Sequence, residues 1–576
     1  MASPADVLAP RITAAIAAAF GDAFRDADPV LRPSQFADLQ ANAALPLAKR
    51  LGMAPREVAL KVLAALDVAD VCRHVEVSGP GFVNLTLDEG WVAHAAREVA
   101  ADPRMGVPVQ EALTIPIDYS SPNVAKEMHV GHLRTTVVGD ALARTLEHLG
   151  HRVIRQNHVG DWGTPFGMLI EHLLDVGVDS PQALLLETDP NAFFQAARAK
   201  FDTDASFADR ARARVVALQS GDRDTLRLWE RLIELSKHYF NRIYAALDVT
   251  LTDGDLAGES TFNADLPVLC DELERSGIAV ESDGALCVFL DELTGRDGTP
   301  MPLIVRKSDG GYNYATTDLA MVRRCVRELG ADQILYVVGA PQALHFQMVF
   351  ATARKAGWLP DRVTPVHVQI GNVLGSDRKL LRTRSGDPLR LMALIDEAVD
   401  NARHIIDETR PDLDEATRAV VAQQVGVGAV KYADLSVAHD SEYVFDLERM
   451  LSLTGNTAVY LQYAVARIRN IFRQGGLDPD EPRHGIHVKE PGERALALAL
   501  LEFGSVVPQV GRELEPHRLC GYLFELAQTY SVFYESCPVL QSDGEVRESR
   551  LALCALALRV LVQGLDLLGV QAPDQM

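Results

Sequence analysis

In the stretch Ser121-Pro122-Asn123-Val124-Ala125-Lys126-Glu127-Met128-His129-Val130-Gly131-His132-Leu133-Arg134, two histidines stand three apart around a glycine. At the first turn of a helix that spacing puts both imidazoles on one face. A helix N-terminus offers free N–H groups and a partial positive charge, a setting suited to phosphate. Gly131 removes a side chain where a ring or a phosphate must come close. Two imidazoles there can donate hydrogen bonds to charge growing on a phosphate during its transfer. Taken alone, an H-x-x-H pair is more often a cap or a surface feature. A metal pair needs a third ligand, and none stands at characteristic spacing.

The surrounding pattern predicts the elements that hold these residues. Residues 113–119 read as a strand, 133–149 as a helix ending at Gly150, and 152–156 as the next strand. That is β-α-β with a crossover helix, the unit of a parallel sheet, whose carboxyl-end crevice binds ligands. A largely helical insertion follows over about 164–250. Short strands return at 285–290 and 303–306, then helix 318–329, strand 333–338, helix 345–356 and strand 365–369. Beyond 376 strand signals fade, and 391–408, 415–435, 447–453, 458–472, 493–510, 519–537 and 549–568 read as helices. Before all this, residues 1–110 form a small α+β unit. It has helices at 12–23 and 55–66 and strands at 75–77 and 81–85, joined through Gly79-Pro80-Gly81.

The bulk numbers set limits. The chain has 576 residues, enough for about three or four domains. Asp plus Glu is 79 and Lys plus Arg 56, a net charge of -23, which excludes indiscriminate nucleic-acid binding but not a local basic groove. The cysteines number 7, are scattered and include no C-x-x-C, so a disulfide framework or thiolate zinc site is not expected. No cationic stretch followed by an apolar run opens the sequence, so a signal peptide is not expected, and the most apolar stretch, 551–570, contains Arg559, Gln563 and Asp566, as a buried helix would. A cytoplasmic protein is expected.

H-x-G-H at the end of the first strand of such a sheet resembles the first signature of class I aminoacyl-tRNA synthetases. The longer string above resembles the arginyl-tRNA synthetases. So do Gln156-Asn157-His158-Val159-Gly160-Asp161-Trp162-Gly163, the segment Tyr312 to Asp318, Gly455-Asn456-Thr457-Ala458-Val459-Tyr460-Leu461-Gln462-Tyr463, and the final Met. The resemblance covers nearly the whole chain. It implies a Rossmann-like α/β catalytic domain over 111–375 with its helical insertion, and an N-terminal tRNA-elbow domain over 1–110. A second-signature loop with connecting helices would take 376–454, and an all-α anticodon-binding domain 455–576.

The activity implied is arginine–tRNA ligation. Arginine is activated by ATP with Mg²⁺ and passed to the terminal adenosine of arginine tRNA, with tRNA required for activation. His129, Gly131 and His132 match the family's ATP contacts. The second signature, K-M-S-K-S, is absent. Leu381-Arg382-Thr383-Arg384-Ser385 stands in its place, so the resemblance assigns the missing lysine's work to Arg384 or to Lys126. Asn123, Asp118, Glu259, Tyr314, Asp318 and Gln342 match arginine contacts, and carboxylates in fork geometry suit a guanidinium. Phe82, Asn84, Tyr460, Tyr463, Arg467, Tyr534 and Met576 match tRNA contacts, rings stacking on bases and arginines meeting phosphates. Of the first two, Asn84 is the better candidate and Phe82 more a core residue. A positive strip through Arg382, Arg384, Arg467, Arg469 and Arg473 is expected. No structural zinc, no editing domain and no membrane contact are expected, and relatives are usually monomers. Two rivals stand beside the ligase. A nucleotidyl transferase with a small acceptor would need no long helical C-terminal region, and a non-catalytic tRNA-binding relative would be expected to lose the histidines or pocket acids.

Overall fold

The computed structural model describes residues 3–294, 300–381, 389–483 and 485–576. The central sheet is parallel, in the order Thr364–Ile370, Gln333–Gly339, Thr114–Asp118, Arg152–Gln156. Ile117 lies opposite both Leu335 and Arg155. All strands run the same way, but the order in which they are added switches sides beside Thr114–Asp118, so the ligand crevice opens at the carboxyl ends of this strand and Gln333–Gly339. The crossover helix Val130–His148 lies against the sheet at Gly139, where a Cβ would come within 2.3 Å of Tyr119. Any larger residue would push the helix off the strand.

Two expected strands sit elsewhere. Ala285–Thr294 and Pro300–Arg306 join Ala279–Ser282 in a separate antiparallel sheet. It carries its own core with helix Tyr314–Arg327, around Leu286, Val305 and Leu319. The insertion is helical as read, running from Thr164–Val176 to Arg223–Ala246.

The N-terminal unit has four antiparallel strands, ordered Leu31–Pro33, Leu39–Ala41, Phe82–Leu87, Cys72–Ser78. The first two are three residues long, too short to show an alternation in sequence. Gly81 has φ +141°, and a Cβ there would meet the Pro55 carbonyl at 2.7 Å.

Beyond Ile370 the only strands among the described residues are a two-residue parallel pair, Val373–Leu374 with Tyr443–Val444, and the other regular elements are helices. The single helix expected over 493–510 is two, Pro491–Leu501 and Phe503–Glu513. Most of the apolar stretch, through residue 567, lies in helix Gly544–Leu567, packed in the main core, where Leu568 and Val570 join it. Among the described residues no helix is long and apolar enough to cross a membrane. Polar ties bind the N-terminal unit to these helices. Arg494 makes two bonds to Asp38, at 2.6 and 2.7 Å, and Arg559 donates to the carbonyls of Ala100 and Asp102.

Candidate active site

The two histidines cap their own helix. His129 is the N-cap of Val130–His148, and its Nδ1 accepts the Gly131 N–H at 3.1 Å. His132 Nδ1 accepts the His129 N–H at 3.1 Å. With both Nδ1 atoms accepting, each proton sits on Nε2, which is left to donate outward. Burial holds both imidazoles neutral: it lowers His129, and with His129 adjacent it takes His132 down to about 3. Their ring centroids are 4.1 Å apart. Capping and phosphate donation are thus compatible here, because they use different ring nitrogens.

The backbone before the helix is bent to this end. Ser120, Ser121 and Ala125 all have positive φ, at 71°, 46° and 57°. These left-handed residues are held by neighbours: the Ser121 N–H donates to Asn157 Oδ1 and the Ala125 N–H to Ser236 Oγ. Such strain persists only where surrounding structure imposes it, and it gathers at functional sites.

A cavity of about 280 Å³ opens beside His129, lined also by Gly131, Gly339, Gly371, Asn372 and Leu381. Gly339, Gly371 and Asn372 were not singled out from sequence. The signal for them is positional, since Gly339 ends one strand of the crevice and Gly371 directly follows another. A Cβ on Gly371 would strike the Ser441 carbonyl at 2.5 Å.

Next to it lies a group of carboxylates. Asp118, buried at the end of its strand, accepts from Ser121 Oγ at 2.6 Å, and burial pushes its carboxyl up. Asp161 is buried against the Ser260 N–H and Oγ, at 2.8 and 2.6 Å, and is raised by burial. Glu259 is pushed up to about 7, by burial first, against the pull of His158, with Asp161 and Asp318 adding to the rise. Asp318 Oδ2 meets His345 Nε2 at 2.6 Å. Among the described residues none of these four acids pairs with a lysine or arginine, a demand that a guanidinium and an amine would meet. Asp161 and His345 carried no role in the sequence reading. Asp161 lies in the G-D-W-G turn after the second strand, while His345 is 27 residues from its partner with no local signal.

Tyr314 begins its helix, is 59% exposed, and sets its ring 4.8 Å from that of His345. Gln342 lies exposed in the turn after Gln333–Gly339. Asn123 forms a backbone bridge with Gly160, where a Cβ would come within 2.5 Å of Asn123 Oδ1. Lys126 is exposed, its ammonium 5.0 Å from the centre of the Phe194 ring. Arg382 and Arg384 lie outside the described residues.

Far from the crevice, Arg467 sits between two exposed rings, 5.1 Å from Tyr463 and 5.2 Å from Tyr534. Tyr460 is half-buried edge-on to Phe524. The backbone oxygen of Met576 accepts from Arg410 at 2.5 Å, and its side chain packs on a cluster around Met450 and Val459. The expected strip of free arginines is broken. Arg469 donates to the Ala572 and Pro573 carbonyls and Arg473 to that of Asp574, so both hold the chain's last turn in place. In the N-terminal unit the exposures run opposite to expectation. Phe82 is half-buried, whereas Asn84 is 3% exposed, its amide accepting from Gln40 and donating to Ser78. Among the described residues no group of three metal-binding side chains is found.

Residues 97–447 match the family described as tRNA synthetases class I (R), catalytic domain; residues 461–576 match the DALR anticodon binding domain; residues 6–87 match the arginyl tRNA synthetase N terminal domain. The chain is 68% identical to an arginine–tRNA ligase of Thermobifida fusca, with 100% of each covered. It is 47% identical to that of Streptomyces coelicolor, over 96% of this chain and 95% of the relative. Its fold is similar to arginyl-tRNA synthetase from Plasmodium falciparum, with TM-score 0.85, 25% identity and 100% of both chains covered. The Thermus thermophilus arginyl-tRNA synthetase is similar in fold, with TM-score 0.78, 24% identity, and 99% of this chain and 100% of that one covered.

Proposed function

Since the chain belongs to the arginyl-tRNA synthetase family and is an arginine–tRNA ligase, we propose that its crevice works by positioning and charge stabilisation, with tRNA needed for the first step. The guanidinium lies among Asp318, Glu259 and Tyr314. The α-amino and carboxylate groups lie toward Asp118, Asn123 and Gln342. That places arginine's carboxylate to attack the α-phosphorus of ATP in line, expelling pyrophosphate with its Mg²⁺. His129 and His132 donate from Nε2 to the phosphate oxygens, and Lys126 and Arg384 meet the charge on the leaving group. The 2′-OH of the tRNA's terminal adenosine then attacks the arginyl carbonyl, and AMP leaves.

The observation that carries this reading is a carboxylate group with no lysine or arginine partner among the described residues, beside two imidazoles whose Nε2 is left to donate. One side fits a cationic amino acid, the other a phosphate. In the same reading residues 1–110 meet the tRNA elbow, 111–375 do the chemistry, 376–454 supply the second loop and its helices, and 455–576 read the anticodon with Tyr460, Tyr463, Arg467, Tyr534 and Met576. Phe82 is the aromatic offered to the elbow, with Asn84 behind it. The enzyme acts as a cytoplasmic monomer.

The test is arginine-dependent exchange of pyrophosphate into ATP, with and without arginine tRNA. Exchange only with tRNA supports the reading in full. Exchange with arginine alone removes the tRNA requirement. No exchange in either, with tRNA still bound, would overturn the site assignment.

A further inference from the structure

Arg390 lies just beyond residues 382–388 and joins three parts of the chain at once. Its backbone forms an antiparallel bridge with His129, flanked by Val130 N–H to the Leu389 carbonyl at 3.0 Å and Leu391 N–H to the Met128 carbonyl at 2.9 Å. So the end of the second loop is zipped onto the histidine signature as a short strand would be. Its guanidinium Nε is 2.9 Å from Glu127 Oε2, and a second nitrogen is 3.5 Å from Asp189 Oδ2.

Both acids bear on Lys126. Glu127 is its chain neighbour. Asp189 caps helix Pro190–Thr203 through the Ala192 N–H, and that helix carries Phe194, on whose ring the Lys126 ammonium rests. The guanidinium thus bridges the segment that bears Lys126 and the helix that seats it. Arg242 and Tyr239 also face this cluster, and His132 lies near Lys126.

We infer that Arg390 is a positioning residue for the activation step: it fixes Lys126 over the nucleotide site and ties that pose to the second loop. This rests on the proposed role of Lys126. The pair is open on one side only: the Arg390 side chain is 49% exposed and that of Glu127 10%, so Arg390→Gln leaves an acid that burial already pushes up and that can take a proton, at a modest cost to folding. Loss of its planar fork therefore shows in catalysis before it shows in unfolding.

The experiment is pyrophosphate exchange by the full chain with arginine tRNA, using Lys126→Ala, Arg390→Gln and the double variant. Arg390→Gln is expected to lower the exchange kcat by about tenfold, with the KM for arginine within about twofold of the parent. Residues acting as one unit are non-additive, so the double variant is expected to match Lys126→Ala. Glu127→Gln should reproduce the Arg390→Gln defect, and Arg390→Lys should fall between it and the parent. Multiplying defects in the double variant would overturn the inference while leaving Lys126 its role. Parental exchange in Lys126→Ala would overturn both. Parental exchange in Arg390→Gln would overturn the inference alone. If Arg390→Gln unfolds, Arg390→Lys carries the same cycle with a smaller effect.

Discussion

Arg134 Nε donates to Asp434 Oδ1 at 2.6 Å across 300 positions of sequence, and both side chains are shut away from solvent. Arg134 stands two residues past His132 on the same helix. Its other nitrogens reach the carbonyls of Ser441 and Ala438, and the Tyr443 ring lies 5.2 Å from the guanidinium. The signature helix is therefore fastened to the end of helix Glu415–Leu435 and to the strand pair beside the cavity. Whatever moves those C-terminal elements moves the histidines' frame.

Removing one partner of a buried pair strands the other, so Arg134→Met should cost about 3–5 kcal/mol in urea unfolding. Burial already pushes Asp434 up to about 6, against the pull of Arg134, so the stranded acid will take up a proton. Arg134→Met with Asp434→Leu should recover most of the loss. A single variant that unfolds like the parent would rule out this fastening.

Glu259 gives the pH dependence. The guanidinium is attracted to its ionised form, and its pKa lies at about 7 in the free protein because of burial. Hence kcat/KM for arginine should fall about tenfold per pH unit below that value and level off above it. Glu259→Gln should abolish the inflection and raise the KM for arginine by about 10- to 100-fold. The linked stability has the opposite slope. The folded state holds the proton more tightly than the ordinary value of 4.5 allows, so this group favours folding at low pH. That contribution disappears as pH rises through about 7, and bound arginine should restore it.

Selectivity should follow the fork. Lysine lacks the planar donors and leaves Asp318 and Glu259 poorly matched. Canavanine keeps them, and its kcat/KM should lie within about 200-fold of arginine's, near the limit for a small change in a pocket. A far larger ratio in parallel exchange assays would mean that the pocket reads the aliphatic stem.

For tRNA, Arg467 and its neighbours should behave differently. Arg467→Ala should weaken binding and reduce the slope of log K against log salt by about 0.7–0.9, the share of one phosphate. Arg469→Ala and Arg473→Ala should leave the slope nearly unchanged, because their guanidinium groups hold carbonyls of residues 572–574. Their effect should appear instead as faster hydrogen exchange near Gln571–Met576.

Local pattern revealed what local forces decide. Strand Arg152–Gln156 and helix Glu415–Leu435 have the ends read from their apolar spacing and flanking punctuation. Leu31–Pro33, Leu39–Ala41 and Tyr443–Val444 were missed because two or three residues exist as strands only through their partners. The same division runs through the site. His129 and His132 were visible as a pair, and so was their position at a helix start. That each would use one nitrogen to cap and keep the other free depends on backbone left-handed at Ser120, Ser121 and Ala125, which no residue type there announces. Arginines in a polar helix read as solvated cations. Arg469 and Arg473 have carbonyl partners a hundred residues on, and only the folded chain brings them together.

Gln571 is bonded to Gln462 through its carbonyl and to Asp248 through its side chain, and four of the next five residues are held by Arg469, Arg473 and Arg410. For anyone preparing this enzyme, the choice of fusion end follows. A purification tag appended after Met576 would have to leave from beside Arg410 and the Met450 cluster, pulling on a tail that also touches Asp248. Tags belong ahead of Ser3, where the first helix is closed by its own Ser3–Asp6 cap.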